Sequence, residues 1–396
     1  MAFVPGGKGV LFRVYLATLG TWAAYALIVV VLPFRFQQLG LSVEEYGAAL
    51  AVYALGTLAT EGLWGSFAFR MGSARFLGGL GALTAVSMLA LGFARSFVSL
   101  TIVLGLYGML VVYSTPLIRW LGMNVSGPGK AGQGLGRLGL FFGVGLSAGT
   151  AVGPLLYLIG GFWMNLYVGT AVFAISTIPL VSIPWDSVSL PQAQRPGQGS
   201  LRALLERQFV LAATLVVFYF MVYTSVTNFL QYYSISLFHG TVEETGYVIG
   251  AARAGALLTG LAVGSTIDRW GARRAAPAGF LLLIVGALGT WISSSYIEMI
   301  LATLILATGA GWLSVTLLPM ALARILPANQ GTAVGVFGSF EDLGLILGPL
   351  LLGVVYVTLG PRDLFPVAAA LAFIAVLIIL AAPIPRPAGP SEPNIE

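Results

Sequence analysis

Apolar residues in this chain neither alternate with polar ones nor recur every third or fourth position. They continue for about 20 to 28 residues at a time and stop at short charged, Gly-rich or Pro-rich turns. A helix rising ~1.5 Å per residue needs about 20 residues to cross the ~30 Å hydrocarbon layer of a bilayer, so each run has the length of a spanning helix. A strand-built outer-membrane barrel would show short segments of period two instead. The turns predict helices near 10–34, 45–68, 76–94, 97–120, 136–160, 163–184, 208–237, 245–267, 276–293, 297–323, 331–359 and 364–382. The fold class expected is an all-α membrane protein with twelve transmembrane helices, and an even number of crossings puts both termini on one side.

Composition removes most other classes. Hydrophobic residues make up 58% of the chain and charged residues 8%, against about 25% charged in soluble domains, so lipid must solvate most of the surface. There is no cysteine, and the single histidine, His239, falls in a predicted loop, which leaves no basis for thiol chemistry or a Cys/His metal site. Lys8 and Lys130 both lie outside the predicted helices, so neither offers a buried amine for a Schiff base. With no phosphate loop and no nucleophile, base and orienter set, the chain is expected to be no enzyme and to need neither cofactor nor metal. The first run follows Lys8 as a signal peptide would, but it is too long and lacks a small-residue cleavage site, so it reads as a helix.

The net charge of +5 comes from basic residues placed in turns, not from one stripe of the kind that nucleic acid requires, and no nucleic-acid partner is expected. Fifteen of the 19 basic residues, Lys8, Arg13, Arg119, Lys130, Arg207 and Arg324 among them, fall at the N-terminus, in even-numbered loops or in the tail. Arg35, Arg95 and Arg362 fall on the other side, and Arg253 lies inside a helix. The positive-inside rule then predicts a multi-pass protein of the cell (inner) membrane with both termini cytoplasmic.

The longest linker is rich in Pro, Gln, Gly and Ser and sits midway, predicting an N-terminal bundle over 1–184, a cytoplasmic linker over 185–207 and a C-terminal bundle with a short tail over 208–396. A shift of 199 residues aligns Val43, Glu44, Glu45 and Gly47 with Val242, Glu243, Glu244 and Gly246, and then Gly65, Arg70, Gly72 and Arg75 with Gly264, Arg269, Gly271 and Arg274. A shift of 195 aligns Gly149, Gly153 and Pro154 with Gly344, Gly348 and Pro349. Two halves of six helices are thus related by an internal repeat.

At these residues the chain resembles the major facilitator superfamily, its drug/proton antiporter-like members in particular. The family's loop signature after the second helix of each half is matched by Gly264, Asp268, Arg269, Gly271, Arg273 and Arg274. The first-half copy keeps Gly65, Arg70 and Gly72 but has Phe69 where the acid belongs. The resemblance implies two parallel-repeat six-helix bundles around a central cavity and alternating access. It also implies a gating role for Asp268 against the start of the fifth helix. The Gly-x-x-x-Gly-Pro runs at Gly149 and Gly344 are similar to the family's antiporter signature, and they also suit close helix packing.

Charges near the bilayer centre are expensive and are functional candidates by default. Arg253, Glu341 and Asp342 fall near the midplane, and Glu61 lies closer to the cytoplasmic end of its helix. Arg253 is expected to pair with one acid of its own half, leaving the other to titrate. Asp342 continues a line through Gly335, Gly338 and Ser339 that reads as the wetter face, and Glu341 shares its face with Gly344 and Gly348, a packing seam. A polar stripe of Thr224, Thr227, Asn228, Gln231 and Tyr232, with Trp22, Tyr25, Tyr53 and Trp312, supplies candidates for a solute cavity.

These features predict a monomeric secondary transporter whose partners are a small-molecule substrate, protons and the lipid bilayer. Proton-coupled export of amphipathic or drug-like compounds fits the acids and aromatics. A metabolite or organic-anion symporter or uniporter is the alternative if Arg253 is free to bind an anion. A non-transporting scaffold or receptor would have no use for intramembrane acids.

Overall fold

The computed structural model describes residues 7–71, 74–125, 131–185, 205–238, 271–325 and 330–382, with scattered positions between 241 and 267. Those residues fold into α-helices: α1 (Gly7–Val29), α2 (Leu32–Gln38), α3 (Val43–Met71), α4 (Ala74–Ala90), α5 (Phe97–Val111), α6 (Thr115–Val125), α7 (Ala131–Val181), α8 (Arg207–Phe238), α9 (Ala272–Ile292), α10 (Tyr296–Leu322), α11 (Gln330–Thr358) and α12 (Leu364–Ala381). Eight stretches among them are long and apolar enough to cross a membrane. Several predicted helices differ in form. The first is split into α1 and α2, with Pro33 just inside α2. The fourth is split into α5 and α6 and extends to Val125. The fifth and sixth are one unit, α7, folded back on itself at Gly160 and Gly161, where a φ of 63° at Gly161 suits only a residue without Cβ. The predicted helix near 245–267, Arg253 with it, lies largely outside the described residues.

The repeat seen in the sequence is a repeat of helix starts. Before α3, the Ser42 hydroxyl accepts from the Glu45 N–H and the Glu45 carboxylate accepts from the Ser42 N–H. Thr241 and Glu244, 199 residues on, exchange the same two bonds. These are capping boxes, which satisfy N–H groups that have no partner within the helix.

The glycines of both Gly-Pro runs let helices touch backbone to backbone. A Cβ on Gly149 would lie 2.2 Å from the Ala23 carbonyl oxygen, and one on Gly344 would lie 2.6 Å from that of Val217. Thus α7 seats on α1, and α11 seats on α8, through equivalent positions of the repeat.

Among the described residues, the N-terminal helices α1–α7 meet the C-terminal helices α8–α12 mainly where α3 lies antiparallel to α11. Gly47 faces the Pro349 carbonyl, Ala51 and Ala54 pack on Ile346, Thr57 reaches Asp342 and Glu61 reaches Gly338. Large apolar residues such as Phe93, Ile159 and Leu380 point outward, as lipid-facing positions should. Of the loop-signature residues, Gly72, Gly264, Asp268 and Arg269 lie outside the described residues. Gly65 and Arg70 belong to the end of α3, Gly271 precedes α9 with a φ of 79°, and Arg273 and Arg274 stand in the first turn of α9. There the Arg273 guanidinium donates to the Ala382 carbonyl beyond the end of α12.

Candidate functional site

The site begins with a broken helix. Pro116 has no N–H to donate, and between α5 and α6 the chain turns through Val112–Ser114, with the Tyr113 N–H bonding to the Leu110 carbonyl. The Met109 carbonyl, which a continuous helix would have paired with Tyr113, accepts instead from the Thr60 hydroxyl at 2.8 Å and from the Trp64 indole of α3. The restarted α6 carries Arg119. Its placement corrects the expectation of a loop residue: Leu117, Ile118, Trp120 and Leu121 on either side are apolar, and the helix ends only at Val125.

Arg119 reaches across to both of the other chain segments that carry membrane acids. Its Nη2 donates to Glu341 Oε2 at 2.7 Å, and its Nη1 lies 3.8 Å from Glu61 Oε1. Asp342 Oδ1 lies 2.7 Å from the Thr57 hydroxyl of α3, one turn before Glu61, and the Glu61 carboxyl lies against Gly338, one turn before Asp342 on α11. Glu61 and Asp342 are each 4% exposed. Room for the Glu61 carboxyl is made by Gly338, whose absent Cβ would lie 2.7 Å from Glu61 Oε2. Glu61 stands ten residues before the end of α3 at Met71, and Glu341 eleven after the start of α11 at Gln330. At ~1.5 Å per residue that is about 15 Å from the end of either helix, near the middle of a bilayer.

Two expectations change. The cation on Glu341 comes from the N-terminal helices, not from its own half; Arg253 lies outside the described residues. Asp342, expected on the wetter face, is the more deeply buried acid, because the Gly338 face of α11 is the one α3 covers. Glu341 keeps 13% of its side chain exposed and turns toward α8, where Tyr219 lies within electrostatic reach.

The cavity candidates divide. Trp22 packs edge-on against Tyr25 at 5.4 Å and against Phe142 at 4.4 Å. Tyr25, Tyr53 and Tyr107 form a chain of rings 6.2 and 5.8 Å apart that lines a small cavity with Leu50 and Leu104, wholly among the N-terminal helices. On α8 the Thr224 and Thr227 hydroxyls bond to their own helix, at Phe220 and Tyr223. Asn228 is half-buried, and Tyr232 is buried against Tyr46 and Tyr356. The Gln231 side chain lies outside the described residues. The Trp312 indole donates to the Ala275 carbonyl at 2.9 Å and ties α10 to α9.

An all-helical membrane protein built from a repeated helix set, with a buried ionic cluster where the sets meet, is a solute carrier in architecture. The sequence profile of the Major Facilitator Superfamily matches residues 14–252 and 234–396, and the chain belongs to that family of membrane transporters. It is 26% identical to the multidrug resistance protein MdtG of Proteus mirabilis over 92% of this chain and 93% of that protein. Identity to solute carrier family 22 member 18 of Mus musculus is 24%, covering 83% and 85%. Among solved structures, the human organic anion transporter MFSD10 superposes with a TM-score of 0.71 at 17% identity, over 95% of this chain and all of that one. The nucleoside transporter NupG superposes with a TM-score of 0.75 at 13% identity, covering 94% and 99%.

Proposed function

We propose that this chain exports amphipathic, drug-like compounds in exchange for protons by alternating access. The observation that carries the reading is the ionic cluster at the seam: Arg119, Glu61 and Thr57 from the N-terminal helices meet Glu341 and Asp342 from the C-terminal ones. Opening the seam at that level must separate every one of these contacts, so charge there and conformation are coupled. Bundles over 1–184 and 208–396 are the moving parts, with linker 185–207 and both termini in the cytoplasm. With Arg119 inside a helix, fourteen basic residues still stand on that side against three. Trp22, Tyr25 and Tyr53 supply aromatic faces to the solute. Asp268 steadies the cytoplasmic gate, and the transporter works as a monomer. The multidrug title of MdtG, matched along almost the whole chain, supports the substrate class. The organic-anion alternative rests on Arg253, which lies outside the described residues; Arg119 does not supply the free cation it needs, being held by Glu341 at 2.7 Å.

The test is transport in proteoliposomes with and without an imposed pH gradient, using ethidium, a neutral lipophilic dye and an aromatic carboxylate as probes. Export predicts pH-gradient-driven accumulation of ethidium. Transport of the carboxylate alone would support the organic-anion reading, and movement of none would contradict both.

A further inference from the structure

Resting on the proton-coupled reading, we propose that Glu61 of α3 and Asp342 of α11 hold one proton between them when the two helix sets meet, and that this shared proton closes the seam at their level. Each acid belongs to a different set and each is 4% exposed, and the helices set them side by side: Asp342 bonds Thr57, one turn before Glu61 on α3, and the Glu61 carboxyl lies against Gly338, one turn before Asp342 on α11. Two carboxylates cannot bond to each other; a carboxylic acid and a carboxylate can. Asp342 Oδ2 is buried and receives no hydrogen bond from any donor among the described residues.

The surrounding charges do not replace that proton. On α6, Arg119 donates to Glu341 at 2.7 Å and stands 3.8 Å from Glu61. On α11, Glu341 adds a further negative charge, while Tyr53 of α3 and Tyr219 of α8, within electrostatic reach of the cluster, are neutral phenols. Three acids therefore face one cation among the described residues, and that cation is engaged chiefly by the acid outside the pair. With both members ionised, like charges oppose each other in a site from which water is excluded, and the closed seam is disfavoured. The Thr57 hydroxyl, which has one hydrogen for two acceptors, the Ala54 carbonyl at 2.8 Å and Asp342 Oδ1 at 2.7 Å, does not reach Oδ2, which is left without a donor among the described residues.

The sign follows. Protonation of the pair favours the closed seam. Separation of α3 from α11 on the side of the termini hydrates both carboxyls, and the proton leaves to water on that side.

The chain has no cysteine, so spin labels can be placed at Phe12→Cys on α1 and Ala323→Cys beyond α10, both exposed and both at the ends of their helices on the side of the termini. The distance between them reports the closed fraction. In the otherwise unmodified protein the closed-to-open ratio is expected to fall as pH rises, by up to about tenfold per pH unit, the limit for one proton. Glu61→Gln and Asp342→Asn each give the remaining carboxylate a permanent amide donor, and in each the closed-to-open ratio should no longer vary with pH. A ratio that does not titrate in the parent, or that titrates in both variants as it does in the parent, would overturn the shared proton. Ethidium counterflow without a pH gradient is scored separately. Its absence from the parent contradicts the export reading, whereas counterflow beside a seam that does not titrate contradicts the shared proton alone.

Discussion

Arg119 and Glu341 stand 222 residues apart and meet at 2.7 Å, guanidinium to carboxylate, across the boundary between the N-terminal and C-terminal helices. Removing either partner strands a charge in a dry place. Arg119→Gln or Glu341→Gln is expected to cost roughly 2–4 kcal/mol, a little under the ~3–5 kcal/mol of fully buried pairs because Arg119 keeps 26% of its side chain exposed. The double variant should recover part of the loss. Thermal melting of the four proteins checks this: a double variant as unstable as the sum of the singles would mean the two residues do not interact.

Asn165 is expected to be the clamp on the break between α1 and α2. The Val31 N–H bonds to Ile28 and so leaves the Leu27 carbonyl without its helical partner. Asn165 Nδ2 donates to that carbonyl at 2.7 Å and to the Gly153 carbonyl at 2.8 Å. Asn165→Leu should lower stability by about 1–2 kcal/mol, two interhelical bonds at the modest value such bonds have in membranes. No change in unfolding by denaturing detergent would remove the clamp from the account.

Glycine substitutions along α11 should divide by neighbour and not by helix propensity. A Cβ on Gly348 meets Ser225 Oγ at 2.4 Å and the Met221 carbonyl at 2.7 Å, whereas one on Gly335 meets nothing within 4 Å. Gly348→Ala is expected to reduce folded yield severalfold and Gly335→Ala to leave it unchanged, as measured by size-exclusion profiles. Equal yields would show that the α8–α11 approach is looser than these distances.

The topology makes a separate prediction. Single cysteines within Pro191–Gly199 and after Pro387, positions outside the described residues, should react with an impermeant thiol reagent only after cells are opened. Labelling from outside intact cells would invert the proposed orientation.

The helices were legible because a bilayer imposes one requirement, length of apolar run, and the turns satisfy it with charges and prolines. The repeat was legible for a local reason: Ser42–Glu45 and Thr241–Glu244 are the same capping box. What stayed hidden was pairing between distant segments. Glu341 and Asp342 could be recognised as costly, but the cation near them was sought on Arg253 because both lay in one half. Arg119, three residues after the proline that restarts its helix, looked like the end of a span. Its apolar flanks were the available signal. Likewise the one-residue offset between Glu341 and Asp342 gave their divergence on α11 but not which face α3 would cover, since that depends on Gly338 yielding space to Glu61.

The most direct test of the coupling role assigned to the seam cluster compares two modes of transport in one preparation. For Asp342→Asn and Glu61→Gln, ethidium exchange at equal pH should persist while accumulation driven by a pH gradient is lost. If both variants still accumulate ethidium against its gradient as the parent does, the cluster is not where protons are coupled to transport.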